Sequence, residues 1–522
     1  MNKTFNLLKE PWIHVVQDNE LVEMNLRDVL CLADKISEIS DPLPIVEFGL
    51  SRLLVALVMD VFHLYDSRDS FGLRDLLNTG HFDPAQIDEY FEVNGPYFDL
   101  FDAKRPFLQM ADVDSPVKPL SGLLSCVPSG TAATHFHHYG EMEFSVSPAA
   151  AARLLTTIAP FMTAGGAGLA PSINGAPPWY VLVRGENLFE TICLNCFVGN
   201  TGLSGDAPPA WRNPLPPKTD GRCAGASLPE ALTWRPRLIQ LIPGNSGVCS
   251  MSGEECDVLV QTMRFKAGAS CNFAWTDPNV PYKYSEKGAL VMRPQDGREI
   301  WRDTGPLALL NDNAYKSSDA KVKFSRPLIV DQFQELYSHK DKPFSFAVYG
   351  MRTDMKMKVF EWQKEVLSVP VELVIGQNHA IFAQDFIDEA DKVEYALRKA
   401  IKHLYPRDGA GNSNAFESVI ANARRQYWSH LRPHYNDLLK EMAKHSEDEL
   451  AEAKYALQDE WRTHEKKAAM EAFHTASEDL DTYAENIRRQ AEAGRQLQSS
   501  INGVFLSPEE KAARKKSKTR RK

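Results

Sequence analysis

The densest grouping of side chains able to do chemistry is His135-Phe136-His137-His138, followed by Tyr139 and Gly140 in a polar stretch. Imidazoles so spaced can ligate a metal, and a metal-dependent hydrolase built on His135, His137 and His138 is one reading of them. A ligand set needs further residues to converge, and the sequence identifies none. Cys193 and Cys196 have the Cys-x-x-Cys spacing of a zinc knuckle, with Cys249 and Cys256 as a second, irregular pair. Leu188, Phe189, Ile192 and Phe197 around the first pair favour a buried helix with ordinary thiols. His430 and His434 have the i, i+4 spacing of a helical ligand pair. No Glu stands where a metalloprotease carries its general base, so packing within a helical bundle is the preferred reading. With no Gly-x-Ser-x-Gly elbow, Walker loop, dinucleotide fingerprint or paired-carboxylate signature, an enzyme has little to stand on.

Two other stretches suit contact with nucleic acid. Thr163-Ala164-Gly165-Gly166-Ala167-Gly168 is a run of very small residues after a helix, which lets backbone approach another surface closely. It lacks the Lys-Ser/Thr ending of a phosphate loop, and a tight turn explains it equally well. Arg352-Thr353-Asp354-Met355-Lys356-Met357-Lys358 mixes basic groups with flexible apolar ones. Apolar side chains on such a turn can wedge between base steps while Lys and Arg hold phosphates. A solvated helix start with two methionines in the core fits the composition as well.

These residues need elements to carry them. Trp12–Val16, Trp179–Val183 and Phe344–Val348 read as strands, and Ile45–Phe62, Ala149–Phe161 and Val359–Val366 as helices. Gly, Pro and Asn clusters such as Pro171–Pro178 separate the short apolar runs. The fold class expected is α+β: a large mixed α/β N-terminal domain with long loops over 1–375, followed by a C-terminal four-helix bundle over 376–506. Its helices are expected at Ile381–Leu404, Ala415–Ala443, Glu447–Ala476 and Asp479–Ile501. Asn414 and Glu417 read as a capping box for the second helix, which Pro433 should kink. Residues 507–522 read as a disordered basic tail.

At 522 residues, 43% hydrophobic and 25% charged, the chain is long enough for several units and has a globular composition. Apolar runs such as Leu53–Met59 are too short to span a bilayer. No secretory h-region fits between Met1 and Pro11, and eight cysteines beside apolar neighbours suit a reduced compartment, so a cytoplasmic location is expected. The net charge of −10 argues against a protein that coats nucleic acid through its global field. The last twelve residues hold eight basic and no acidic side chains, which leaves −18 for residues 1–510.

The opening Phe5-Asn6-Leu7-Leu8-Lys9-Glu10-Pro11-Trp12-Ile13 resembles the start of the CasA family, the large subunit of the type I-E Cascade of CRISPR defence. The resemblance continues at Phe98–Asp102, Pro106–Gln109, Val183-Arg184-Gly185 and Tyr395–Ala400, in matching order over nearly the whole chain. It implies a non-catalytic subunit of a crRNA-guided complex that recognises the PAM of double-stranded target DNA. Such a subunit starts duplex unwinding for R-loop formation and helps recruit the helicase-nuclease. Pairing with the guide reads the sequence, so the protein need read only a short motif, and the degenerate minor groove suits tolerant reading.

Carried onto this chain, the family's first DNA-contacting loop falls on Phe136, His137 and His138. Its PAM-contacting glycine loop falls on Ala164–Gly168, with Gly165, Gly166 and Gly168, and its PAM-contacting lysine on Lys266. The wedge falls on Arg352, Asp354, Met355 and Lys356, where Met355 replaces the usual glutamine and cannot supply an amide's hydrogen bonds. Some relatives hold zinc through two Cys-x-x-Cys pairs. Those positions here read Ser147, Ala150, Cys249 and Ser252, so neither a metal nor another cofactor is expected. The partners implied are the other Cascade subunits, crRNA, target DNA and the helicase-nuclease. A purely structural scaffold subunit is the further alternative.

Overall fold

The computed structural model describes residues 3–65, 70–123, 144–165, 168–213, 226–271, 273–285, 288–311, 323–337, 344–354, 359–405, 413–478, 480, 483–507 and 509–511. The chain forms two compact units. The first comprises Met1–Asp296, Lys321–Lys340 and Phe344–Ser368, and the second Gly297–Ala320, Asp341–Pro343 and Val369–Lys522. The division is therefore not a single cut near residue 375, because segments before that point belong with the C-terminal helices.

In the first unit, β1 (Ile13–Gln17) and β2 (Glu20–Met24) form an antiparallel hairpin, and β3 (Ile36–Ile39) pairs with the other edge of β1. The hairpin closes through Asp18 and Asn19, both at positive φ, as two-residue turns between twisted strands require. Helix α1 (Pro44–Val61) starts with proline at its first turn and is buried along almost its whole length. Ile45 and Phe48 pack with Phe161, Tyr180, Tyr349 and Met351, and the Phe48 ring stacks on Tyr180 at 4.4 Å. Helix α2 (Pro148–Thr156) is capped by Ser147, whose hydroxyl accepts from Ala150 N–H at 3.1 Å. The helix expected over Ala149–Phe161 is thus two: α2 ends at Thr156, and a short turn follows over Ile158–Phe161.

Two three-stranded sheets carry the candidate site. In one, β4 (Tyr180–Arg184) pairs with β7 (Phe344–Thr353), which pairs with β8 (Val359–Val369). In the other, β5 (Arg237–Pro243) pairs with β6 (Val260–Ala267), and β6 with the short strand Lys118–Pro119. The helix expected over Val359–Val366 is a strand. Its partly alternating burial fits the half-covered strand of a sheet, a period that the helical reading overlooked. Helix α3 (Leu188–Asn195) follows β4, with Cys193 and Cys196 buried at its end.

The second unit holds α4 (Gln377–Leu404), α5 (Ser413–Met442), α6 (Glu447–Glu478) and α7 (Ala484–Val504). Helix α5 already includes Asn414, so Asn414 is not its cap, and it remains helical through Pro433. The reciprocal cap stands instead before α6, where Ser446 N–H donates to Glu449 Oε2 at 2.9 Å. Aromatic donors from α5 and α6 pin both helices to backbone carbonyls of α4. Tyr427 donates to Ala390 O at 3.1 Å, Tyr435 to Ala383 O at 3.3 Å and Trp461 Nε1 to Phe386 O at 3.2 Å. At the start of the expected disordered tail Ser507 N–H donates to Glu510 Oε2 at 2.8 Å and Glu510 N–H to Ser507 Oγ at 3.1 Å, while Pro508 and residues 512–522 lie outside the described residues. Among the described residues no helix is long and apolar enough to cross a membrane.

Candidate nucleic-acid interface

The glycine-rich loop leaves the short helix after α2 and is closed at its base by its own backbone. Gly165 N–H donates to Leu169 O at 3.0 Å, and Ser172 N–H to Met162 O at 2.7 Å. A Cβ on Gly165 would lie 3.0 Å from Leu169 Cδ1 and 3.1 Å from its Cβ, so a larger residue there would need Leu169 to give way by a few tenths of an ångström. Gly168 is constrained for a different reason. Space around it is open, but its φ is +80°. Gly166 and Ala167 lie outside the described residues.

Two buried groups hold this segment from below. Arg237, the first residue of β5, donates Nη2–H to Thr163 O at 3.0 Å and Nη1–H to Ala170 O. Burial pulls its guanidinium pKa down to about 10. Further along, Asn174 Nδ2–H donates to Asp277 Oδ2 at 2.7 Å, and the same oxygen accepts from Arg52 at 2.8 Å. Neither Arg237 nor Asp277 was singled out by spacing or composition. The available signal was an arginine opening the mostly apolar strand Arg237-Leu-Ile-Gln-Leu-Ile-Pro243, where an unpaired cation is costly.

Lys266 stands on β6 opposite Leu238, one register step from the Arg237–Ala267 pair. Directly opposed residues share a face, so half-buried Lys266 leaves the ribbon on the side away from Arg237. Arg352 lies at the end of β7 and Asp354 just follows it, beside the neighbouring strand β8; Met355 and Lys356 lie outside the described residues. Arg352 braces the two strands: its Nε–H donates to Glu361 Oε1 at 3.0 Å, Nη1 lies 3.3 Å from Asp296, and the guanidinium covers the half-exposed Phe360 ring. Residues 292–296 join the two regions. Met292 O accepts from Trp179 N–H at 2.8 Å, Arg293 Nε–H donates to Ala176 O at 3.0 Å, and Asp296 reaches Arg352.

Phe136, His137 and His138, with His135, lie outside the described residues. Two of the four positions that the resemblance matched to zinc ligands meet in space, since Ser147 N–H donates to Cys249 Sγ at 3.3 Å. Burial raises the Cys249 thiol pKa, but donors from Ser147, Ser252 and Met251 outweigh it and hold the pKa below its ordinary value. Burial pushes the Cys193 and Cys196 thiols up, as suits inert core cysteines. Among the described residues no three His, Cys, Asp or Glu groups form a metal-holding set. His434 instead stacks on His464 of α6 at 3.5 Å, and His430 Nδ1 lies 3.4 Å from Glu471.

A mixed α+β unit followed by long C-terminal helices is the build of a class of CRISPR-associated proteins. The crystal structure of Thermus thermophilus CasA matches it with a TM-score of 0.73 at 23% identity, over 96% of this chain and 100% of that one. Thermobifida fusca Cse1 matches with a TM-score of 0.73 at 21% identity, over 96% of this chain and 98% of that one. A chain of a CRISPR RNA-guided surveillance complex matches with a TM-score of 0.70 at 18% identity, over 95% of this chain and 99% of that one. In sequence, the CRISPR-associated protein CasA/Cse1 of Thermus thermophilus is 28% identical over 520 residues, covering 94% of this chain and 95% of that protein. The family model for CRISPR-associated protein Cse1 matches residues 6–472, and the chain belongs to that family.

Proposed function

We propose that this chain is the large, non-catalytic subunit of a crRNA-guided surveillance complex. In this reading it recognises the PAM in double-stranded target DNA, starts duplex opening and helps recruit the helicase-nuclease. The observation that carries the reading is the closed base of the glycine-rich loop. The two ends of the loop, 163–165 and 169–170, are tied together by the Gly165–Leu169 hydrogen bond and by Arg237, which supports close backbone approach to a groove. Backbone donors suit a minor groove, where both A·T orientations present only acceptors and reading is tolerant. Lys266 would neutralise a phosphate, and the β7–β8 connection with Met355 and Lys356 would enter the first opened step. The net charge of −10 supports weak binding by the isolated chain, with backbone affinity supplied by the assembly.

The test is binding of the assembled complex to a PAM duplex and to the same duplex with the PAM replaced. The PAM duplex is expected to bind at least about fivefold more tightly, the smallest step that one lost base contact produces. Gly166→Trp is expected to abolish that difference while leaving complex assembly intact. Equal affinity of the unmodified complex for both duplexes would overturn the proposal.

A further inference from the structure

We infer that Arg237 is the positioning residue of the glycine-rich loop, its guanidinium fork fastening the carbonyls of Thr163 and Ala170 so that the two ends of the loop are fixed for DNA recognition. The inference rests on the PAM-reading role proposed for that loop. Thr163 and Ala170 bracket the run of small residues, and both of their carbonyls accept from the one side chain. Nη1 also donates to Pro236 O at 3.0 Å, which ties the fork to the start of its own strand. Strand β5 is anchored in turn by its register with β6 from Arg237–Ala267 to Pro243–Val260.

The chemistry specifies arginine. Two carbonyls on separate backbone segments need divergent donors in one plane, which a guanidinium supplies and a lysine ammonium, a single compact charge, does not. The side chain is buried, at 4% exposure, so its charge is costly unless carbonyls saturate its donors. A loop of glycine and alanine has no side chains with which to order itself, and glycine loses the most conformational freedom on being fixed. Pinning both ends from below removes that cost before DNA arrives, so the clamp should act on recognition more than on the stability of the fold.

The experiment compares unmodified chain, Arg237→Gln and Arg237→Lys, each assembled into the complex, by amide hydrogen exchange across 162–170 and by affinity for the two duplexes. Both variants are expected to exchange at least about tenfold faster in that segment, with protection elsewhere unchanged, as local opening predicts. PAM-duplex affinity is expected to fall about tenfold with affinity for the PAM-replaced duplex unaltered, the loss expected of a disordered recognition loop. If Arg237→Gln fails to fold, Arg237→Lys, which keeps the charge, carries the comparison. Unchanged exchange in 162–170 would overturn the clamp. So would faster exchange with undiminished PAM preference, provided Gly166→Trp abolishes that preference. If Gly166→Trp also leaves it intact, the DNA role of the loop fails, while the exchange data still decide whether Arg237 fastens it.

Discussion

Asp277→Ala is expected to destabilise the first unit by about 3–5 kcal/mol, the range for removing one partner of a buried ion pair. The Asp277 and Arg52 side chains are 0% and 2% exposed and meet at 2.8 Å. Asp277 also accepts from Asn174 at 2.7 Å and from Asn279 N–H at 3.0 Å, so its loss strands several donors. Among the described residues Arg52 then keeps Leu232 O at 3.2 Å and the Tyr180 ring at 5.5 Å, too little for a dry cation. Arg52→Met combined with Asp277→Ala is expected to recover more than half of the loss, because no charge is then left unpaired. Equilibrium denaturation of the four members of this cycle measures the coupling. Additive losses in the double variant would show that the pair does not act as a unit. Because Asn174 lies just beyond the glycine-rich loop, Asp277→Ala should also loosen the far anchor of that segment.

The outline was legible where periodicity is long. The four C-terminal helices lie within a few residues of their expected limits because each repeats an apolar face many times, and β4 and β7 began where β-branched and aromatic residues cluster. Short segments went astray where two periods compete. Val359-Phe-Glu-Trp-Gln-Lys-Glu-Val366 contains Glu and Lys that favour helix, and pairing with β7 overrode that preference. At the candidate site, the sequence pointed to the loop and the turn through their unusual composition. It did not point to Arg237, Asn174 or Asp277, whose roles depend on partners between 67 and 225 positions away. Such long-range polar pairing leaves no local pattern. The resemblance to CasA added an expectation that the net charge alone argues against, a nucleic-acid role for an acidic chain.

Glu465→Met is expected to stabilise the second unit by about 1–3 kcal/mol, the cost of a buried polar group left without hydrogen bonds. That corresponds to roughly 2–4 °C in melting temperature per kcal/mol for a unit of this size. Glu465 on α6 is fully buried, and neither carboxylate oxygen has a hydrogen-bond partner among the described residues. The neighbouring donors are engaged elsewhere: Trp461 donates to Phe386 O, and Arg462 is held by Glu389 at 2.7 and 2.8 Å. Burial, reinforced by the Glu389 charge, pushes the Glu465 pKa well above its ordinary value of 4.5. The folded chain therefore keeps the proton at a pH where the unfolded chain has lost it. Stability from this group is intact below the ordinary carboxyl range and declines as pH rises toward the folded-state pKa. The advantage of Glu465→Met should accordingly grow over the range from about pH 4 upward. Glu465→Gln, which removes the proton equilibrium but leaves an unpaired amide, should flatten the pH dependence with a smaller gain. Thermal melts of the three chains across that range decide the matter: a difference that does not change with pH would mean that Glu465 is ionised, and therefore partnered, inside the fold.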